Sequence, residues 1–382
     1  MQVDVPTLDH PPPARQEPAG PEVLHYLGYD EDHGGIITVL RALAGTGRLR
    51  CVLGMNAGAG QRQTPALPMV GFPAVTAETI GPATVWRTLR VAWQARAWLR
   101  AARGRIFHGH SRAGLLVVLW LQVMGERRAL ASVHAYGNRK GFYRLAARLL
   151  GWRLFWLSPA MKQHYGLGSG TWEECLPDCI GPSPAPSVRA ARDRGVVVFG
   201  AVGTLARCKR FDVLVEALVR LPLGIRRRVR LVHAGADGPN AGEDGCAAEL
   251  RALAAHRGVA DLIEWRGLVR PIDGFWPGID CLVVPSPIEA FSVAALEALA
   301  AGVPVLASDQ SGTRDLVEVC RGGWLFPGDS PEMLAAEMAR LIESGDLARV
   351  RPTAAGLRPF RADEAVERYR VAYARLLGPD AK

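Results

Sequence analysis

The sequence predicts an α/β protein of two parallel-sheet domains, and three observations lead there. At 382 residues the chain is too long for one average domain and comfortable for two. Two consecutive series of short apolar strands and amphipathic helices run along it, one from Pro21 to Pro159 and one from Val196 onward. Between them lies CLPDCIGPSPAPSVRAARDRG (Cys175–Gly195), rich in proline and serine as a linker would be. The expected boundaries are a disordered leader at 1–20, a first domain at 21–185, a second at 186–360 and a terminal helical segment at 361–382.

The first series opens with the strand PEVLHYLG (Pro21–Gly28), followed by YDEDHGGIITVLRALAG, the strand, glycine turn and helix that begin a Rossmann-like domain. CVLGM at Cys51 reads as a second strand and gives way to a Pro/Gly/Ala-rich loop. A helix over Thr84–Arg103, a strand at Ile106–His110, a helix over Gly114–Met124, a strand at Ala129–Gly137, a helix near Tyr143–Leu150 and LFWLSP (Leu154–Pro159) complete it. In the second series VVVFGAVG (Val196–Gly203) is a strand, Phe211–Leu218 a helix, Val229–Gly235 a strand and Ala247–Ala255 a helix. LIEWRG follows, then the strand Cys281–Pro285, the helix Val293–Ala301, the strand VPVLAS, LVEVCRGGWLF, and an amphipathic helix over Asp363–Leu376.

Composition narrows the class. With 49% hydrophobic and 22% charged residues the chain builds real cores and is not generally disordered. Seven cysteines form no CxxC pair, which suits buried free thiols in a reducing compartment. The longest apolar run, Leu115–Met124, is ten residues, too short to span a bilayer, and the start of the chain has no signal-peptide pattern, so a cytoplasmic location is expected. Net charge is +9, yet Gly81–Lys162 alone holds fifteen Arg or Lys against the single acid Glu126. The same stretch carries Trp86, Trp93, Trp98, Trp120, Trp152 and Trp156. Such a mixture suits an anionic membrane surface, here the inner face, or else a solvated basic face with its tryptophans buried. No nucleic-acid motif accompanies the charge, so nucleic acid is not an expected partner.

Val284–Val317 (VPSPIEAFSVAALEALAAGVPVLASDQSGTRDLV) carries the chemistry. A strand ends at Pro285, a loop carries Glu289, and a helix starting near Ser292 or Val293 carries Glu297 in its second turn. The N–H groups at such a helix start are free to meet a phosphate. The two carboxylates suit sugar and ribose hydroxyls and are poor partners for phosphate. Here the chain resembles family 4 of the GT-B glycosyltransferases, whose signature is two glutamates with seven residues between them followed by a G-V-P-V strand, as in Glu289, Glu297 and Gly302–Val305. The resemblance implies the GT-B fold, two Rossmann-like parallel-sheet domains facing across a cleft, with the last helix returning to the first domain. It implies that Glu289 contacts the donor sugar, Glu297 the ribose, and the backbone of Phe291, Ser292, Val293 and Ala294 the diphosphate.

VGTLARCKRFDVLVEAL (Val202–Leu218) resembles the family's other donor element, with Gly203 at the strand end and Lys209 matching the lysine that binds the β-phosphate. Thr204 stands where the family usually has arginine; either Arg207 or Arg210 substitutes, or one phosphate contact is missing. HAGADGP (His233–Pro239) resembles the family's glycine-rich segment in part, and RGLV (Arg266–Val269) the segment that meets the base. In the first half, His33-Gly34-Gly35 resembles the glycine pair that lets backbone approach the phosphates, and His134 the histidine near the reacting centre. His108 and His110 flank a glycine at a strand end and are expected to line the acceptor pocket; no third ligand at sensible spacing accompanies them, so no metal is assigned.

The resemblance implies retaining transfer of a hexose-type sugar from a UDP- or GDP-sugar to a hydroxyl of a glycan or lipid-linked acceptor, with His134, Glu289 and Lys209 at the reacting centre. The nucleotide sugar is a co-substrate, and no metal or other cofactor is required. Two rivals stay open: a catalytically weak relative acting as a binding or scaffolding subunit, and a nucleotide-sugar epimerase. Oligomeric state is not legible in the sequence.

Overall fold

The computed structural model describes residues 20–28, 34–57, 67–75, 81–137, 139–182, 195–236 and 246–378. The expected leader up to residue 19, His33, the linker core at 183–194 and Asp237–Pro239 lie outside the described residues.

In the first domain the order is β1 (Glu22–Tyr26), α1 (Gly35–Gly45), β2 (Arg50–Asn56), β3 (Met69–Phe72), α2 (Pro82–Arg100) and β4 (Arg105–Gly109). It continues through α3 (Arg112–Val123), β5 (Ala129–Val133), α4 (Lys140–Leu150), β6 (Leu154–Trp156) and α5 (Pro159–His164). The second has β7 (Val197–Val202), α6 (Phe211–Arg220), α7 (Leu223–Arg226), β8 (Val229–Ala234), α8 (Cys246–His256), β9 (Ile263–Trp265) and β10 (Cys281–Val284). There follow α9 (Val293–Ala300), β11 (Val305–Ser308), α10 (Thr313–Cys320), β12 (Gly323–Phe326), α11 (Pro331–Ser344), α12 (Ala354–Leu357) and α13 (Ala362–Leu377).

The strand orders are β3-β2-β1-β4-β5-β6 and β12-β11-β10-β7-β8-β9, with parallel pairing throughout. Both sheets therefore reverse direction once, between β1 and β4 and between β7 and β10. The crevice outside the carboxyl ends of strands at such a reversal is where open α/β sheets bind ligands.

Helices cover both faces of each sheet, so strands such as β5 are buried at every residue and read as unbroken apolar runs. Alternation along β1 serves two cores: Leu24 and Tyr26 pack toward α2 and α3, Val23 and Leu27 toward α1 and α13. β3 lies in the stretch that reads as loop in the sequence. Four residues at a sheet edge, one of them Gly71, carry too little pattern to be recognised; pairing with β2 defines the strand.

The chain passes between the domains twice, and the two passages bond to each other. Ile180 N–H donates to the Phe360 carbonyl at 3.0 Å, and Ala362 N–H donates to the Ile180 carbonyl at 2.8 Å. Beyond the second passage α13 packs on α1 in the first domain, and Tyr369 donates from its hydroxyl to the Pro177 carbonyl at 3.3 Å. A third tie links α10 to α5, where the Asp315 carboxylate accepts from Ala160 N–H at 2.8 Å.

Candidate functional site

The strand ends at the two reversals face each other across a cavity of about 610 Å³, within the range of small-molecule sites. The N-termini of α1, α3 and α9 reach it, and none of these three has an acid in its first turn. Ser111 and Ser292 cap α3 and α9 by accepting from Gly114 N–H and Ala295 N–H, at 3.0 and 3.2 Å. Gly34, at φ 113°, caps α1 without a side chain. The helix starts of α1 and α9 nearly touch: a Cβ on Gly35 would lie 3.1 Å from a Val293 methyl. Unpaired N–H groups and aligned peptide dipoles thus converge from both domains, which makes this volume attractive to anions.

Two loops of the second domain carry the charged side chains. Gly203 leaves β7 at φ 144°, a conformation open to glycine, and its carbonyl is met by the His233 imidazole at 3.0 Å. Lys209 then projects into the cavity and forms an ion pair with Glu289. The loops are tied together, because the Ser286 hydroxyl donates to the Cys208 carbonyl at 2.8 Å. The Glu289 carbonyl in turn accepts from Gly312 N–H at 2.7 Å and from the Ser311 hydroxyl at 3.3 Å. Burial pulls the Lys209 pKa down, but the Glu289 carboxylate outweighs it and the net shift is upward, so the ammonium is held charged.

The first domain contributes His110, Ser111, Arg112, Ser132, His134 and Asp178. His134 is buried and its pKa falls to about 3 for that reason, which keeps the imidazole neutral. Asp178 is 3% exposed; burial first and Glu289 second push its carboxyl up to about 7.

Of the residues singled out in the sequence, Gly34, Gly35, His110, His134, Gly203, Thr204, Lys209, Glu289, Phe291, Ser292, Val293 and Ala294 come together on this cavity. Glu297 does not line it. It sits one turn further along α9, and burial first, then the Asp273 charge, raise its carboxyl to about 7. His108 also stands apart from the cavity wall, a correction to its expected place at the acceptor pocket. Its ring is fully buried between Ser132, at 2.7 Å from Nε2, and Tyr373, at 2.8 Å from Nδ1. Arg207 and Arg210 are not at the vacancy left by Thr204: Arg207 pairs with Glu249, and Arg210 with Asp212 and Asp329. A third imidazole does accompany His108 and His110, contrary to the sequence reading. His25 on β1 is in register with His108 on β4, and the donor atoms of the three lie within 4.8 Å. Arg112 and Asp178 went unnoticed in the sequence; a Ser-Arg pair between an apolar strand and helix was the available signal for the first, and the second sits in what reads as linker.

Comparison with known proteins agrees with this architecture. Residues 196–344 match the family described as glycosyl transferases group 1. D-inositol 3-phosphate glycosyltransferase of Acidothermus cellulolyticus is 34% identical over 194 residues, 48% of this chain and 43% of that protein. The corresponding enzyme of Xylanimonas cellulosilytica is 35% identical over 197 residues, 48% of this chain and 45% of that protein. The matched stretch thus spans less than half the length of these curated relatives. Among solved structures, a glycosyltransferase from Rickettsia africae superposes with a TM-score of 0.71 at 16% identity, over 95% of this chain and 100% of that one. Anabaena HepE in complex with UDP and glucose gives 0.63 at 16% identity, over 94% and 97%. Two Rossmann-like domains thus face each other across the cleft in the GT-B fold of these solved structures, and residues 196–344, most of the second domain, match the glycosyl transferases group 1 family.

Proposed function

We propose that the protein is a retaining glycosyltransferase that moves a hexose-type sugar from a UDP- or GDP-sugar to a hydroxyl of a glycan or lipid-linked acceptor. The observation that carries this reading is the opposition of the α1 and α9 N-termini around the Lys209–Glu289 pair. A diphosphate suits that place. Each helix end favours an anion by ~0.3–2 kcal/mol, and Lys209 neutralises charge on the departing nucleotide without a metal being required. When the diphosphate draws Lys209 toward itself, Glu289 is released to accept from sugar hydroxyls. Glu297, set back along α9, accepts from the ribose. His134 and the backbone around it face the sugar from the first domain. Attack comes from the face of the leaving group, whose phosphate oxygen takes the acceptor proton, and domain closure keeps competing water out. The likeness to HepE, which was crystallised with UDP and glucose, makes UDP the first base to test.

Thermal shifts with a panel of UDP-, GDP- and ADP-sugars test the donor site. One nucleotide should stabilise the protein, and Glu297→Ala should remove most of that stabilisation. A second reading, a subunit that does not turn over donor, is favoured by Arg207 and Arg210 being held outside the cavity. Absence of any shift across the panel would move the assignment to it.

The acceptor reading has a surface to support it. Among the described residues no helix is long and apolar enough to cross a membrane. However, α2, α3 and α4 form one layer on the first sheet, from which Trp86 (68% exposed), Trp93, Leu145 and Leu149 project among Arg87, Arg90, Lys140 and Arg148. We propose that this layer rests on the anionic inner leaflet, where lipid-linked acceptors lie. Co-sedimentation with phosphatidylserine vesicles should be strong at low salt and fade as salt rises; no sedimentation at low salt refutes the contact.

A further inference from the structure

Behind His134 lies an unbroken run of imidazoles. His134 Nε2 is 2.9 Å from His110 Nδ1, and His110 Nε2 is 2.8 Å from His25 Nδ1. At the cleft end, His134 Nδ1 faces Asp178 Oδ1 at 3.7 Å, and neither atom has a hydrogen-bond partner. At the buried end, His25 Nε2 has none either. His108 stands beside the run: its ring centroid is 3.9 Å from that of His110 and its own nitrogens are held by Ser132 and Tyr373, so His110 has no room to turn over.

A neutral imidazole has one N–H and one bare nitrogen, and a hydrogen bond between two rings needs one of each. If His134 carries its proton on Nδ1, toward a carboxylate at Asp178, its Nε2 must accept from His110 Nδ1–H. His110 Nε2 is then bare and accepts from His25 Nδ1–H. If His134 instead carries its proton on Nε2, every bond in the run reverses and His25 is left with Nε2–H. Only these two arrangements satisfy both hydrogen bonds. Burial holds all the rings in the neutral form that this counting requires: His25 and His134 fall to about 3, and His110 well below its usual value.

Resting on the reading of His134 as a cleft residue, we propose that Asp178 is a positioning residue that fixes which nitrogen of His134 bears the proton, and that His110 and His25 lock that choice from behind. The negative end of the run lies at the cavity, where a charged Asp178 selects Nδ1–H and a protonated one permits Nε2–H. The titratable groups facing Asp178 are His134 from the end of β5, Glu289 from the opposite domain, the neighbouring Cys179, and Tyr369 from α13. The closeness of His25, His108 and His110 would also suit a transition-metal ion, but five of their six ring nitrogens already have partners. A metal would have to break those bonds.

The test is a ¹H–¹⁵N long-range correlation spectrum of the full chain labelled at histidine nitrogens, at mildly alkaline pH. In the wild type, His134, His110 and His25 should all show a protonated-type Nδ1 and a bare-type Nε2. Asp178→Leu, which neither donates nor accepts, should shift the pattern of all three together, His25 included although it lies two hydrogen bonds away. Should that variant fold poorly, wild type brought to mildly acidic pH should show the same joint exchange without any ring becoming imidazolium. Rings that respond separately, a His25 pattern indifferent to Asp178, or Zn²⁺ capturing His25, His108 and His110 at one equivalent would each overturn the proposal. Nucleotide binding is read in a separate assay. A chain that binds no donor yet keeps the joint pattern defeats the transferase reading and leaves this one standing.

Discussion

Replacing Lys209 with alanine is expected to lower donor turnover by about 10²–10³-fold, the usual cost of removing one donor aimed at developing charge. The loss belongs to the transition state, where the diphosphate gains the most charge, so kcat should fall more than KM rises. The fold should survive. The Lys209–Glu289 pair borders the open cavity, so a Glu289 carboxylate left without its partner stays within reach of water. Slow hydrolysis of the donor, or transfer to a simple acceptor, measures the effect alongside the melting temperature. Turnover within a few-fold of wild type would show that Lys209 is an ordinary cleft lysine and that the phosphates lie elsewhere.

Acid should destabilise the folded protein well before ordinary carboxylates titrate. His25 and His134 have folded pKa values of about 3 against 6.5 when unfolded, and His108 and His110 are lowered in the same direction. A depressed histidine contributes stability that is complete above its unfolded pKa and is lost as pH falls below 6.5, because only the unfolded chain takes up the proton. Asp178 and Glu297, both raised to about 7, act oppositely: the folded chain holds their protons, so their contribution grows as pH falls from 7 toward the unfolded value. Near pH ~5, four protons taken up less two released leaves about two, or ~3 kcal/mol per pH unit. Urea unfolding followed between neutrality and that pH should show this slope. A flat profile would mean that the imidazoles are reached by water.

Much of this molecule is legible from its sequence, and the illegible parts have physical causes. Strands covered on both faces become apolar runs, and a glycine at a strand end announces a turn, so the two sheets and the loops of Gly203 and Glu289 can be found by eye. The residues that went unseen depend on register. His25 meets His108 only because β1 pairs with β4 at that position, across 83 residues of chain. Asp178 lies in a stretch that has the composition of a linker, and the elements that surround it, the end of β5, the Glu289 loop and α13, are distant in sequence. His108 illustrates the converse: it lies on the right strand, but its ring is held between Tyr373 and Ser132 and does not reach the cavity wall. Composition near Thr204 likewise offered two arginines, and their direction is decided by carboxylates at Glu249, Asp212 and Asp329 that no local pattern reveals.

The placement of α13 has a consequence for the order in which the molecule can be made. Tyr369 and Tyr373 close over His25 and His108, and with Ala365 and Val366 they complete a core shared with α1 and β2. On the ribosome, every strand of the first sheet emerges at least about two hundred residues before the helix that seals it. Domains as a rule fold in the order of their synthesis. Here the first to emerge is the last to be finished, with an open apolar face and wet, protonatable histidines until residues 362–377 arrive. A pause or a truncation late in translation therefore harms the amino-terminal half of the protein, far from the codon at which it occurs.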